Sequence, residues 1–157
     1  MMVVMTIIVT TIEMRINMRG YYDEISFDVN TTAKKMHLFL LRSIASYDVT
    51  PEQWSVLEGI EANEPISQKE IALWTKKDTP TVNRIVDVLL RKELVVREVS
   101  TEDRRISLLS LTDKGRKETN ELRDIVEASC ERMFAGISRA DLEQFTAILK
   151  NISTNIE

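Results

Sequence analysis

Two adjacent arginines, Arg104 and Arg105, are the residues of this chain whose chemistry is simplest to name. A guanidinium is a permanent cation with a planar fork of N–H donors, suited to phosphate oxygens and to the negative potential of a narrow minor groove. The pair sits in STEDRRISLLSLTDKG, Ser100 to Gly115, after Glu102 and Asp103 and before a nearly alternating apolar run. Asp103 and Arg105 lie two apart, so on a strand they share a face and can pair. For an exposed pair the use is orientation of the guanidinium, not stability.

A second group lies upstream, where Lys76 and Lys77 precede Asp78-Thr79-Pro80 and Thr81, Asn83 and Arg84 follow. A helix fits the major groove with its N-terminal residues on base edges, and an arginine bonded bidentately to guanine discriminates by about 1–3 kcal/mol. Arg84 is the best placed candidate. Thr79, Thr81 and Asn83 can bond bases or phosphates, and Lys76 and Lys77 can meet the backbone. The competing reading is a solvated face, which is preferred for the isolated Lys69.

Enzyme constellations do not emerge. The chain has no glycine-rich phosphate loop and no His-Glu metal pair, and its single histidine, His37, lies in a largely apolar stretch. One cysteine, Cys130, excludes an intramolecular disulfide and a four-cysteine zinc site, and suits a reducing cytoplasm. Its place on the apolar side of a helix favours an inert core thiol over a redox switch. Trp54 and Trp74 read as core, and no cofactor or metal is implied.

The net charge of −4 and pI near 5.2 argue against a non-specific nucleic-acid coat. Distribution matters more than the total. From Ser67 to Arg105 nine basic residues stand against seven acidic ones, a local excess of +2, so an anion-binding face belongs to the middle of the chain.

The elements that must position these residues are mainly helical. Ala33, Met36, Leu40, Ile44 and Tyr47 recur at helical spacing from about Phe27 to Tyr47. Thr50-Pro51 caps a second helix with Trp54, Leu57 and Ile60 inward, ended by Asn63 to Pro65. Ser67 with Glu70 forms a capping box, with Ile66 stapled to Ile71. KKDTP then breaks this third helix, and Asp78 or Thr79 caps a fourth. There Val82, Ile85, Val86, Leu89 and Leu90 make one buried stripe opposite Pro80, Arg84, Asp87 and Arg91. Two short helices joined by a tight turn make a helix-turn-helix.

Leu94 to Val99 is strand-like, and RISLLSL alternates at Ile106 and Leu108 before slipping phase at Leu109, so a hairpin with a polar tip is expected. Thr112 caps a long helix to about Phe134, with Leu122, Ile125, Val126, Ser129, Cys130 and Met133 along one side. Ser138 with Asp141 opens a last helix. An apolar stripe reaching past a compact core marks a partner surface, most economically a second copy. Met1 to Ile12 is apolar but lacks the basic start of a signal peptide and is shorter than the roughly 20 residues that span a bilayer, so no membrane span is expected. Its β-branched residues suit an added strand or arm, but residues 1–17 read more strongly as a loosely attached, disordered extension.

This order of elements, with Asp103, Arg105, Leu111, Thr112 and Gly115 in DRRISLLSLTDKG, resembles the MarR family of winged helix-turn-helix regulators over about residues 27–157. The resemblance implies a mainly α fold with a small β-hairpin wing. It also implies a winged DNA-binding domain over 50–111 and a helical dimerisation region from 18–49 and 112–157. It implies a homodimeric transcription factor, more often a repressor, on a pseudo-palindromic operator of double-stranded DNA. The fourth helix, Thr79 to Arg91, would enter the major groove and the wing, Val99 to Arg105, the minor groove. Many such proteins release DNA when a small aromatic compound binds between the dimerisation helices and the winged domain; His37, Tyr47 and Trp54 are the cleft-lining candidates.

Two positions depart from the family. Glu93 stands where glycine often follows the recognition helix, so a changed turn is expected. No cysteine precedes Cys130, whereas the peroxide-sensing branch uses one near its N-terminus. A winged-helix module that binds an acidic protein instead of DNA is the alternative, since one fold hosts several functions.

Overall fold

The structure is a computed structural model that describes residues 2–101 and 103–156, with side chains described from residue 20 onward, residue 102 excepted. The chain forms two compact units, Met1–Arg42 and Ser43–Glu157.

The first unit is helix α1, Met2–Ser43. The backbone of the first residues is helical from Met2, and the side chains of residues 1–17 lie outside the described residues. β-Branched residues cost a helix only a few tenths of a kcal/mol each, and neither proline nor glycine interrupts the run before Gly20. From Gly20 onward α1 exposes large apolar groups, among them Tyr21, Tyr22, Phe27 and Leu38.

The second unit opens with a single tight turn, Ala45–Tyr47, so the first helix ends earlier than its periodicity suggests. Helix α2, Pro51–Asn63, starts on a reciprocal cap in which the Gln53 N–H reaches Thr50 Oγ1 at 3.3 Å and the Thr50 N–H reaches Gln53 Oε1 at 3.4 Å. A two-residue strand, β1 (Ile66–Ser67), leads into α3, Gln68–Thr75, whose Ser67–Glu70 capping box forms as the sequence indicates. Helix α4, Thr79–Arg91, is followed by the hairpin β2 (Val95–Val99) and β3 (Ser107–Leu111). Helices α5, Asp113–Met133, and α6, Arg139–Ile156, complete the unit.

The sheet runs β1-β3-β2, antiparallel throughout, with Ile66 opposite Leu109 and Val95 opposite Leu111. The inward face of β3 is Leu109 and Leu111, not Ile106 and Leu108. The strand begins at Ser107, so Ile106 belongs to the turn and is 42% exposed, which accounts for the apparent slip of phase.

One core joins these elements: Leu57 and Ile60 of α2, Ile71 of α3, Val82, Val86 and Leu89 of α4, Leu94 and Leu109 of the hairpin, and Leu122 of α5. Trp54 is buried in it, whereas Trp74 is 44% exposed. The Trp74 ring lies across Gly59, where an added Cβ would stand 2.6 Å from a ring carbon. Helix α6 has no buried residue and exposes Phe145, Ile148, Leu149 and Ile152 at helical spacing.

Candidate nucleic-acid interface

The turn before α4 is built from backbone hydrogen bonds. Lys76 takes the left-handed conformation (φ +53°) that closes α3, its N–H donating to Leu73 O at 3.3 Å and the Lys77 N–H to Ala72 O at 3.0 Å. These two bonds satisfy carbonyls that a helix end leaves unpaired. The lysine side chains therefore leave from a fixed corner, Lys76 exposed and Lys77 half-buried.

Asp78, of the two candidates, is the cap of α4. Its Oδ1 accepts the Thr81 N–H at 2.8 Å, and its Oδ2 accepts the Thr81 hydroxyl at 2.8 Å. These bonds stabilise the ionised carboxylate, the backbone one most, and hold the Asp78 carboxyl below its ordinary pKa, with Arg84 adding attraction. Thr81 thus uses its donor in the cap and keeps only lone pairs for another partner. Thr79, Asn83 and Arg84 are exposed on the face opposite Val82, Val86 and Leu89, so burial of one stripe aims the other outward.

At the wing, a tight set of bonds replaces burial. The Ser100 N–H donates to Ile106 O at 2.9 Å, and the Ile106 N–H to Asp103 O at 2.9 Å. Asp103 Oδ1 accepts the Arg105 N–H at 3.0 Å and Arg105 Nε at 3.1 Å, and Oδ2 accepts Arg105 Nη2 at 2.9 Å. The expected pair therefore forms, in a turn and not on a strand, and as a two-pronged fork. It holds the Asp103 carboxyl below its ordinary range and raises the Arg105 guanidinium, whose side chain is still 90% exposed. Arg104 beside it is also exposed.

The helix and the wing meet in a second corner. Glu93 keeps the left-handed turn (φ +59°) after α4 despite its side chain, so the turn is not changed as expected. The Leu94 N–H donates to Leu89 O and the Glu93 N–H to Leu90 O, each at 3.0 Å, with Leu89 and Leu94 both buried. This pair of hydrogen bonds with an apolar contact closes many helices, and it compensates the Cβ strain of a non-glycine residue. Thr112 then locks the corner to α5: its hydroxyl donates to Glu93 O at 2.7 Å, its N–H to Leu94 O at 3.1 Å, and its Oγ1 accepts the Gly115 N–H at 2.8 Å. A Cβ on Gly115 would lie 1.9 Å from Leu94 O, so glycine is required by this approach.

Sequence reasoning passed over Arg97 of β2, which pairs with Asp87 of α4 at 3.4 Å and so ties wing to helix. Its signal was an arginine sharing one face of the strand with Val95 and Val99. The effector candidates have different surroundings. Trp54 is core, and His37 lies exposed on α1 in the other unit. Tyr47 lines a cleft with Lys114, Lys117, Glu118 and Glu121, where desolvation, then Glu121, raises its hydroxyl pKa. The Cys130 thiol is raised by burial and then by Glu127 and Glu58, which disfavours the reactive thiolate. Among the described residues, no cluster of three or more His, Cys, Asp or Glu is arranged to hold a metal, and no helix is long and apolar enough to cross a membrane.

Residues 47–106, from the turn before α2 to the end of the wing, match the MarR family model. Over 141 residues the chain is 26% identical to the transcriptional regulator MhqR of Bacillus subtilis, covering 79% of this chain and 94% of that protein. This chain belongs to the MarR family. Solved structures agree with a MarR winged helix. A Listeria innocua protein of unknown function is 91% identical, covering 89% of this chain and 98% of that one with a TM-score of 0.67. The transcriptional repressor CouR, solved on a 23-mer DNA duplex, is 28% identical over 82% of this chain and 91% of that one, with a TM-score of 0.74. As a MarR-family protein the chain falls among transcriptional regulators.

Proposed function

We propose that this protein is a homodimeric repressor that binds a pseudo-palindromic operator in the cytoplasm, with α4 in the major groove and the wing in the adjacent minor groove. One observation carries the reading: Arg84 on the outward face of a capped helix, beside a wing whose Arg105 is held in a fork by Asp103 yet remains exposed. The duplex bound to CouR supports DNA as the partner. In this reading Arg84 bonds a guanine, Thr79 and Asn83 add base or phosphate contacts, Thr81 accepts from a base amino group, Lys76 and Lys77 meet phosphates, and Arg104 and Arg105 enter the minor groove. The apolar residues exposed on α6 and α1 support a second copy as the cover for those helices. Half-sites would then lie about one helical turn, roughly 34 Å, apart.

A small aromatic effector is the proposed release signal, with Tyr47 and its α5 neighbours as its polar contacts. The test is binding to fragments of the DNA flanking the protein's own gene. Loss on Arg84→Ala with retention on Lys69→Ala is expected; absence of sequence-selective binding across genomic fragments in low salt would overturn the proposal. Sedimentation checks the dimer, and release of bound DNA by simple phenols or aromatic acids checks the effector.

A further inference from the structure

Glu64 follows the last residue of α2 and holds three elements with one carboxylate. Its Oε2 accepts the N–H of Leu111, at the end of β3, at 2.7 Å, and its Oε1 pairs with the Arg116 guanidinium in the first turn of α5. The register that sets Ile66 opposite Leu109 brings Glu64 opposite Leu111 when carried two residues further. Strand β1 has ended by then, so the side chain takes the N–H that a longer strand would have taken. The Glu64 side chain is only 18% exposed. A carboxylate so enclosed needs its charge and lone pairs matched, and Arg116 and Leu111 do that.

Glu61, one turn earlier on α2, offers a comparison within the same helix. It pairs with Arg123 of α5 and so also joins α2 to α5, but its carboxylate is paired with that helix and not with the hairpin. Of the two, Glu64 alone combines the helix tie with the strand. The wing arginines stand about six residues beyond Leu111, roughly 20 Å away along the strand. A small change of angle at the anchored end is therefore enlarged at the tip.

We infer that Glu64 is a positioning residue for the wing: by fixing β3 to α2 and α5 it sets where Arg104 and Arg105 reach. The inference rests on the DNA-binding reading above. Double-mutant cycles on a fragment that the wild-type protein binds selectively test it. Glu64→Leu removes both bonds and should weaken binding roughly tenfold, the scale of one well-placed contact. Glu64→Gln keeps an acceptor for Leu111 and should recover part of that loss.

The loss should shrink when Arg104 and Arg105 are already alanine, because it acts through them, and keep its full size in an Arg84→Ala background. Glu61→Gln should bind like wild type. Equal losses in both backgrounds, or an equal loss on Glu61→Gln, would overturn the role of Glu64. If Glu64→Leu does not fold, Glu64→Gln and Arg116→Gln carry the same cycles, and the same two results would support or overturn that role. Absence of selective binding by the wild-type protein would instead remove the DNA reading itself.

Discussion

Helix α4 and the wing tip both present arginine to solvent, and they do so by opposite means. Burial of Val82, Val86 and Leu89 fixes the rotation of α4, so Arg84 points outward because the far side of its helix is in the core. At the wing no such stripe exists: Val99 and Ile106 are exposed, and the conformation is set by hydrogen bonds among Ser100, Asp103, Arg105 and Ile106. The contrast separates two ways of orienting a charge. Packing aims a whole element and resists change in solvent conditions, whereas a local polar bracket aims one side chain and depends on the ionisation of its carboxylate.

Substitutions can break each side of this contrast in turn. The largest effect is expected at the corner both share: Gly115→Ala sets a Cβ against the Leu94 carbonyl and should cost more than about 4 kcal/mol, read by urea unfolding or by loss of soluble protein. Leu89→Ala opens the core beneath α4 and should cost about 3 kcal/mol by the same measurement. Thr112→Ala removes the cap of α5 and its bond to Glu93, for about 1–2 kcal/mol.

Asp103→Ala should leave the unfolding midpoint nearly unchanged while freeing Arg105, seen as loss of a distinct Nε–H signal by NMR. The pH dependence has a definite sign. The Asp103 carboxyl lies below its unfolded value, so the bracket is complete above the ordinary carboxylate range and is lost as pH falls through the folded value. The Arg105 signal should therefore persist at pH values where an isolated aspartate is already protonated.

The same contrast explains what could be read from the sequence. Caps were legible because their chemistry is local: Thr50, Ser67, Thr112 and Ser138 each accept the N–H of the third residue along. The stripe of α4 was legible because burial imposes its period on the residues themselves. The fork between Asp103 and Arg105 was legible from a separation of two residues, although its setting in a turn was not.

What stayed hidden depends on residues far apart in the chain. Strand β1 is only Ile66 and Ser67, too short for a periodic signal, and exists because β3 lies beside it. Glu64 reaches Leu111 across 47 residues, and the carbonyl that Gly115 must admit belongs to Leu94. Trp74 read as core from its type alone, but Gly59 across from it leaves a shelf for the ring instead of a pocket. The left-handed Glu93 shows that two backbone bonds and a buried leucine contact can maintain a turn that glycine would otherwise mark.

The most direct test of helix and wing as two kinds of DNA contact is a binding profile across a library of single-base operator variants, repeated at several salt concentrations. The account predicts that Arg84→Ala relaxes selectivity by about 1–3 kcal/mol at one base pair in each half-site. It predicts that the Arg104→Ala/Arg105→Ala protein binds all variants more weakly by a similar factor and loses up to about four from the salt slope, two for each protomer of the dimer. A uniform loss from Arg84→Ala, or a loss confined to one base pair from the wing substitutions, would contradict it.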